Sequence, residues 1–135
     1  MESSSSQFSN YGIVQSIVEL LGSEYKVINA YDNTDDIDLN GVVSVQASNL
    51  EFLHPGDADD YKLTLIVSGQ FLTAEDVNQD KISQMFDYIL NTLDEQTIKN
   101  TIEDCAGCLI NTGALNSDGE ANTCSLSMEL YMCKD

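Results

Sequence analysis

The segment 122–133, NTCSLSMELYMC, alternates apolar and polar side chains over almost its whole length. Cys124, Leu126, Met128, Leu130 and Met132 fall on one side of an extended chain, and Ser125, Ser127, Glu129 and Tyr131 on the other. A period of two marks a strand with one buried face, because successive side chains point to opposite faces. Such a strand folds only with paired neighbours and with a layer packed on its apolar row.

The rest of the chain can supply both. Residues 107–113, GCLINTG, read as a hairpin partner, joined to the last strand by the polar ALNSDGEA. Residues 42–52 and 61–71 read as a second, longer hairpin around LHPGDADD, which holds the only proline. In its first strand Val43, Val45 and Ala47 share one face and Leu50 and Phe52 the other, which predicts a bulge between them. In its second, Leu63, Leu65, Val67 and Phe71 oppose Lys62, Thr64, Ser68 and Gln70. Residues 24–32 read as a further strand.

Two helices are expected on the sheet. The first spans about 10–21, with Ile13, Val14, Ile17, Val18, Leu20 and Leu21 at helical spacing and Gly22 where a helix stops. The second runs from a cap at Thr73, with Asp76 three residues on, to Leu93. Its stripe is Ile82, Met85, Phe86, Ile89, Leu90 and Leu93. EQTIKNTIED, 95–104, reads as a short helix or turn. The order α-β-β-β-α-β-β predicts an α+β domain: a mainly antiparallel sheet of about five strands with two main helices on it. Residues 1–9 read as a flexible tail and 10–135 as one domain, as 135 residues suit.

Charge narrows the function classes. There are 23 acids against five bases, all lysine, for a formal net charge of -18. Phosphate recognition uses arginine forks and basic patches, so direct nucleic-acid binding is excluded as an expectation. A surface this acidic repels DNA or meets a basic partner. No apolar run approaches the roughly 18 residues of a membrane span. The opening MESSSSQFSN lacks the basic and apolar regions of a secretory signal, which points to a cytosolic chain.

Two stretches imitate calcium loops. In DIDLNG, Asp36, Asp38 and Asn40 take ligand positions and Gly41 the turn position, but Ala47 stands where a bidentate acid is required. Asn40-Gly41 between strands is a turn signal by itself. From Asp76, the residues Asn78, Asp80 and Asp87 match, but Lys81 occupies the glycine position, and the apolar stripe runs on as plain helix. The cysteines Cys105, Cys108, Cys124 and Cys133 could hold zinc, or form a disulfide or redox pair. Cys124 and Cys133, however, differ by an odd number and point to opposite faces of a regular strand. Reduced, buried cysteines are the expectation. The lone His54 and the absence of nucleophile, phosphate-loop or dinucleotide motifs indicate a protein that is not an enzyme and has no cofactor.

The succession YGIVQSIVELLG, GVVSVQASNLEF…YKLTLIVSGQF, TAEDVNQDKISQMFDYILNTL and CLINTGALNSDGEANTCSLSMELYMC resembles the tail terminator (tail completion) proteins of tailed bacteriophages. It covers about residues 10–133 and is a pattern of elements, not a signature motif. The resemblance implies a virion structural protein at the head-proximal end of the tail, present in the host cytoplasm during assembly. It would form a ring, usually of six copies, on the last ring of the tail tube. That ring would stop tube growth, meet the head-connector proteins and let DNA pass without specific binding. Edge strands and the long hairpin would make the subunit contacts. The turn 53–60, with His54, Asp57, Asp59 and Asp60, and the acidic loop 33–40, with Asp35, Asp36 and Asp38, are the expected contact or lumen segments. Net charge supports a second reading, an acidic protein-binding module or DNA-mimic inhibitor docking a basic partner.

Overall fold

The last strand is the centre of the pairing. In a computed structural model describing residues 10–32, 41–54, 56–71, 79–117 and 122–133, five strands form one sheet. They are β1 (Lys26–Asn29), β2 (Val42–His54), β3 (Asp57–Phe71), β4 (Cys105–Ser117) and β5 (Asn122–Cys133), in the order β1-β2-β3-β5-β4. β5 lies between β3 and β4, antiparallel to both, so its whole ladder is satisfied. The α+β class, the mainly antiparallel sheet and the order of elements are as expected.

Helices α1 (Asn10–Leu21), α2 (Gln79–Thr92) and α3 (Glu95–Thr101) pack on the sheet. Val14, Ile17 and Leu21 from α1 and Ile82, Met85 and Ile89 from α2 are buried against Val43, Val45, Leu63, Leu65, Val67, Leu126, Met128 and Leu130. Each fully buried leucine or isoleucine there contributes roughly 1.5–3 kcal/mol. α2 comes close to the sheet because two strand positions beneath it lack side chains. A Cβ on Gly69 would collide with the Met85 sulfur, and one on Gly113 would lie 2.7 Å from Phe86 Cζ. The Tyr88 hydroxyl, donating to the Leu21 carbonyl at 2.7 Å, ties α2 to the end of α1.

The predicted bulge is present, between Ala47 and Asn49. The extra residue returns Leu50 and Phe52 to the face of Val45 and Ala47, opposite Leu63 and Tyr61. β1 is shorter than the expected 24–32 and runs parallel to β2. Residues 30–41 are long enough for the crossover of about a dozen residues that a parallel pair requires. β4 is longer than the expected 107–113 and takes in 114–117, because backbone pairing with β5 does not depend on polar side chains. The turn expected over 53–60 is shorter than expected, since His54 still pairs with Asp57; Pro55 lies outside the described residues. The tail 1–9, the loop 33–40 and the helix start at Thr73 and Asp76 lie outside the described residues. The short helix expected at 95–104 is α3, capped by Asp94, whose Oδ1 accepts the Thr97 N–H at 2.7 Å.

Two buried asparagines behave oppositely. Asn29 donates to the Tyr11 carbonyl and to Gln15 Oε1 and accepts from the Tyr31 N–H. Asn122 is fully buried, and its amide finds no hydrogen-bond partner among the described residues. A buried unsatisfied amide costs about 1–3 kcal/mol. Asn122→Leu is therefore expected to stabilise the protein by about 1–2 kcal/mol, and Asn29→Leu to destabilise it by a similar amount, both read by urea denaturation. The Thr97 N–H holds the Asp94 carboxyl below its ordinary value. With the folded pKa below the unfolded one, this contribution is complete above about pH 4 and is lost as pH falls through the folded pKa. Asn is also a good cap without a charge, so Asp94→Asn should lose less stability than the native chain between about pH 5 and pH 3.

Candidate functional site

The far end of the β2–β3 hairpin carries the expected contact residues. His54 Nε2 lies 3.5 Å from Asp60 Oδ2, and the histidine side chain is 65% exposed. An exposed pair of this kind adds little stability, about 0–1 kcal/mol at most. Asp57 is in register with His54 on the paired strands, Asp59 is exposed, and Asp60 is half-buried and in register with Cys133. The structure therefore brings His54 and Asp60 together. Asp35, Asp36, Asp38 and Asn40 lie outside the described residues. Gly41, at φ 74°, donates its N–H to the Gln70 carbonyl at 2.8 Å and opens β2.

The second calcium-like stretch is helix from Gln79, with Asp80 in the first turn and Asp87 two turns on, both exposed. An α-helix keeps its carbonyls for its own ladder and cannot wrap a cation. Among the described residues no cluster of three or more His, Cys, Asp or Glu is placed to hold a metal. All four cysteines are outside disulfides. Cys124 is buried and Cys133 exposed, at opposite ends and on opposite faces of β5. Burial pushes the Cys108 thiol up to about 12 and the Cys124 thiol up to about 11, and raises Cys105 as well. These three are held as protonated thiols, not as nucleophiles.

The face of the sheet away from the helices is polar. Lys62 Nζ lies 3.4 Å from Glu51 Oε1 and 3.7 Å from Glu129 Oε2. Tyr131 donates to Glu129 Oε1 at 3.0 Å, and Asn111 to Oε2 at 3.3 Å. This network joins β2, β3, β5 and β4. Hydrogen bonding to Glu51, then the charge of Glu129, holds the Lys62 ammonium above its ordinary pKa. Further along the strands, towards β1, is a concavity of about 460 Å³ lined by Ser44, Ser68, Gln70, Thr123 and Ser125 with Ile28 and Val42. Its only titratable lining residue is Cys124, so the concavity offers no acid–base pair.

The apolar surface is elsewhere. Seven large hydrophobic residues are exposed among the described residues, and five lie on two strand segments. Phe52 and Leu53, 49% and 43% exposed, are on β2 beyond its pairing with β1. Leu109, Ile110 and Leu115, 53%, 38% and 53% exposed, are on β4, the outermost strand on the other side. From 109 to 116 every β4 residue is exposed, and Cys105–Ser117 contains no charged residue. Exposed edge strands usually carry lysine, proline or inward charges that prevent pairing with another chain. Here, among the described residues, Glu95 blocks the near end, accepting the Cys108 N–H at 3.3 Å. Edge strands were expected to make contacts, but residues 109–117 were not named among them. Their signal is a 13-residue strand without an acid in a chain that has 23 of them.

The chain matches no protein-family model and no curated protein. No helix among the described residues is long and apolar enough to cross a membrane.

Alkylation at about pH 8, followed by mass spectrometry, should modify Cys133 first. Cys105 and Cys124 should react only as the protein unfolds, because burial keeps them protonated and covered, and the half-buried Cys108, its thiol pushed up to about 12, should react more slowly than Cys133.

Proposed function

We propose that this chain is a non-catalytic structural protein that assembles with copies of itself, a ring-forming tail terminator of a bacteriophage virion. In that role it caps the tail tube, meets the head connector and lets DNA pass through an acidic lumen. The observation that carries the assembly reading is the pair of exposed apolar strand segments, Phe52–Leu53 and Leu109–Leu115, which hold five of the seven large hydrophobic residues exposed among the described residues of a strongly acidic chain. Apolar patches on a soluble surface mark sites of association. The tail terminator reading adds the resemblance in element order: an opening helix, a long hairpin, a second helix and a closing hairpin on one sheet. A net charge of -18 without arginine suits a passage through which DNA slides without being held.

The same charge favours a second reading, an acidic module that docks a basic partner as a monomer. Mass in solution separates the two. Light scattering across protein concentration, with and without chelator, should reach about 89 kDa for six copies of 14.8 kDa, unchanged by chelator. A monomer at every concentration that is captured by a basic protein would favour the docking module.

A further inference from the structure

Three sulfur-bearing side chains meet where β4 begins and β5 ends. A regular strand would put Cys105 and Cys108 on opposite faces, because they differ by an odd number of residues. The register shift between Cys105 and Gly107 changes that. Cys105 pairs with Met132 and Cys108 with Leu130, so the bulge brings both thiols to the helical face, where Met132 and Leu130 are buried. Their Cα atoms are two steps of the ladder apart, roughly 7 Å. The Cys105 thiol donates to the Gly107 carbonyl at 3.3 Å, which holds its sulfur beside the peptide that enters Cys108. Met132, directly opposite Cys105, adds a thioether. The Cβ atoms of such a pair are about 4.5–5.5 Å apart, and a long side chain also reaches the diagonal position, here Cys108.

We propose that Cys105, Cys108 and Met132 form a binding site for a single soft monovalent cation, Cu(I), at the junction of α3, β4 and β5. The inference is independent of the assembly reading, because the site lies at the Glu95 end of β4, before the exposed segment 109–117.

The donor set selects the ion. Thiolate and thioether sulfur favour Cu(I). A structural zinc takes four ligands drawn from Cys, His and carboxylates. Among the described residues no three His, Cys, Asp or Glu are grouped to hold an ion, and Glu95 already accepts the Cys108 N–H.

The surroundings suit the exchange. Burial holds both thiols protonated in the metal-free chain. Binding releases two thiol protons to water as the cation enters, and no electron is transferred. The two thiolates and one Cu(I) leave a single negative charge. Lys99 favours that charge at Cys105, while Glu95 opposes it at both sulfurs. Cys105 and Met132 are buried and Cys108 is half-buried, so the ion enters past Cys108 and comes to rest away from water. Its ligands come from two strands, so it ties the start of β4 to the end of β5 and stabilises the folded chain by mass action.

The test titrates the reduced full chain with Cu(I) under anaerobic conditions, against a chromophoric Cu(I) chelator. One Cu(I) per chain should bind, with a thiolate-to-copper absorption band in the ultraviolet and a raised melting temperature. X-ray absorption of the native chain should show sulfur ligands alone. Cys133→Ser should bind as the native chain does, and Cys105→Ser/Cys108→Ser should lose the ion. Met132→Leu, close in shape, should bind at least about tenfold more weakly, the scale on which even outer partners of a metal site act. Circular dichroism establishes that each variant is folded; if the double cysteine variant is not, the ligand atoms seen in the native chain decide. Oxygen ligands in that spectrum, retention of the ion by the folded double variant, or unchanged affinity in Met132→Leu overturns the site. So does a native chain that binds Zn(II) and fails to take Cu(I) from the chelator. Each of these outcomes leaves the assembly reading standing, since mass in solution decides that separately.

Discussion

β5 is paired on both sides, and its apolar row, Cys124 to Met132, is the middle of the floor on which the helices rest. The strand comes last in the chain but sits between β3 and β4, so the two hairpins become one sheet only when it is inserted. α2 depends on the same insertion. It approaches the sheet over Gly69, which pairs with Cys124 of β5, and Gly113, which pairs with Leu126. A side chain at either position would lift Met85 or Phe86 and open a void in a layer whose close packing carries the stability.

The two faces of the sheet then divide the work. The helical face holds nearly all the buried apolar side chains. The outer face is a field of serine, threonine and glutamine crossed by the Glu51–Lys62–Glu129–Tyr131 network. Antiparallel sheets tolerate water on one face, so the outer face requires no covering layer. The β4 edge is different: among the described residues no strand lies beyond it, and Leu109, Ile110 and Leu115 are exposed along it. Like charge opposes the meeting of two copies, and salt screens it over about 8–10 Å. The absence of acids along β4 removes that opposition at short range, where screening is least effective.

Periodicity specified much of this protein directly. The alternation in 122–133 and in 61–71, the helical stripes at Val14, Ile17 and Leu21 and at Ile82, Met85 and Ile89, and the bulge implied by Ala47 against Leu50 are local patterns. Each is enforced by the same backbone geometry wherever it occurs. The opposite placement of Cys124 and Cys133 followed from counting residues. What the tertiary structure decided was who lies beside whom. Neither the parallel pairing of β1 nor the central place of β5 is written in any single segment, because strand order is set by loop closure and shared burial among distant elements. The site divides in the same way. His54 and Asp60 were legible as turn residues, but their proximity required the register of β2 on β3. The open edge at Leu109, Ile110 and Leu115 was hidden, since an apolar run looks the same in a sequence whether a neighbour covers it or not. Only the strand order β1-β2-β3-β5-β4 reveals that nothing in the described sheet lies beyond it.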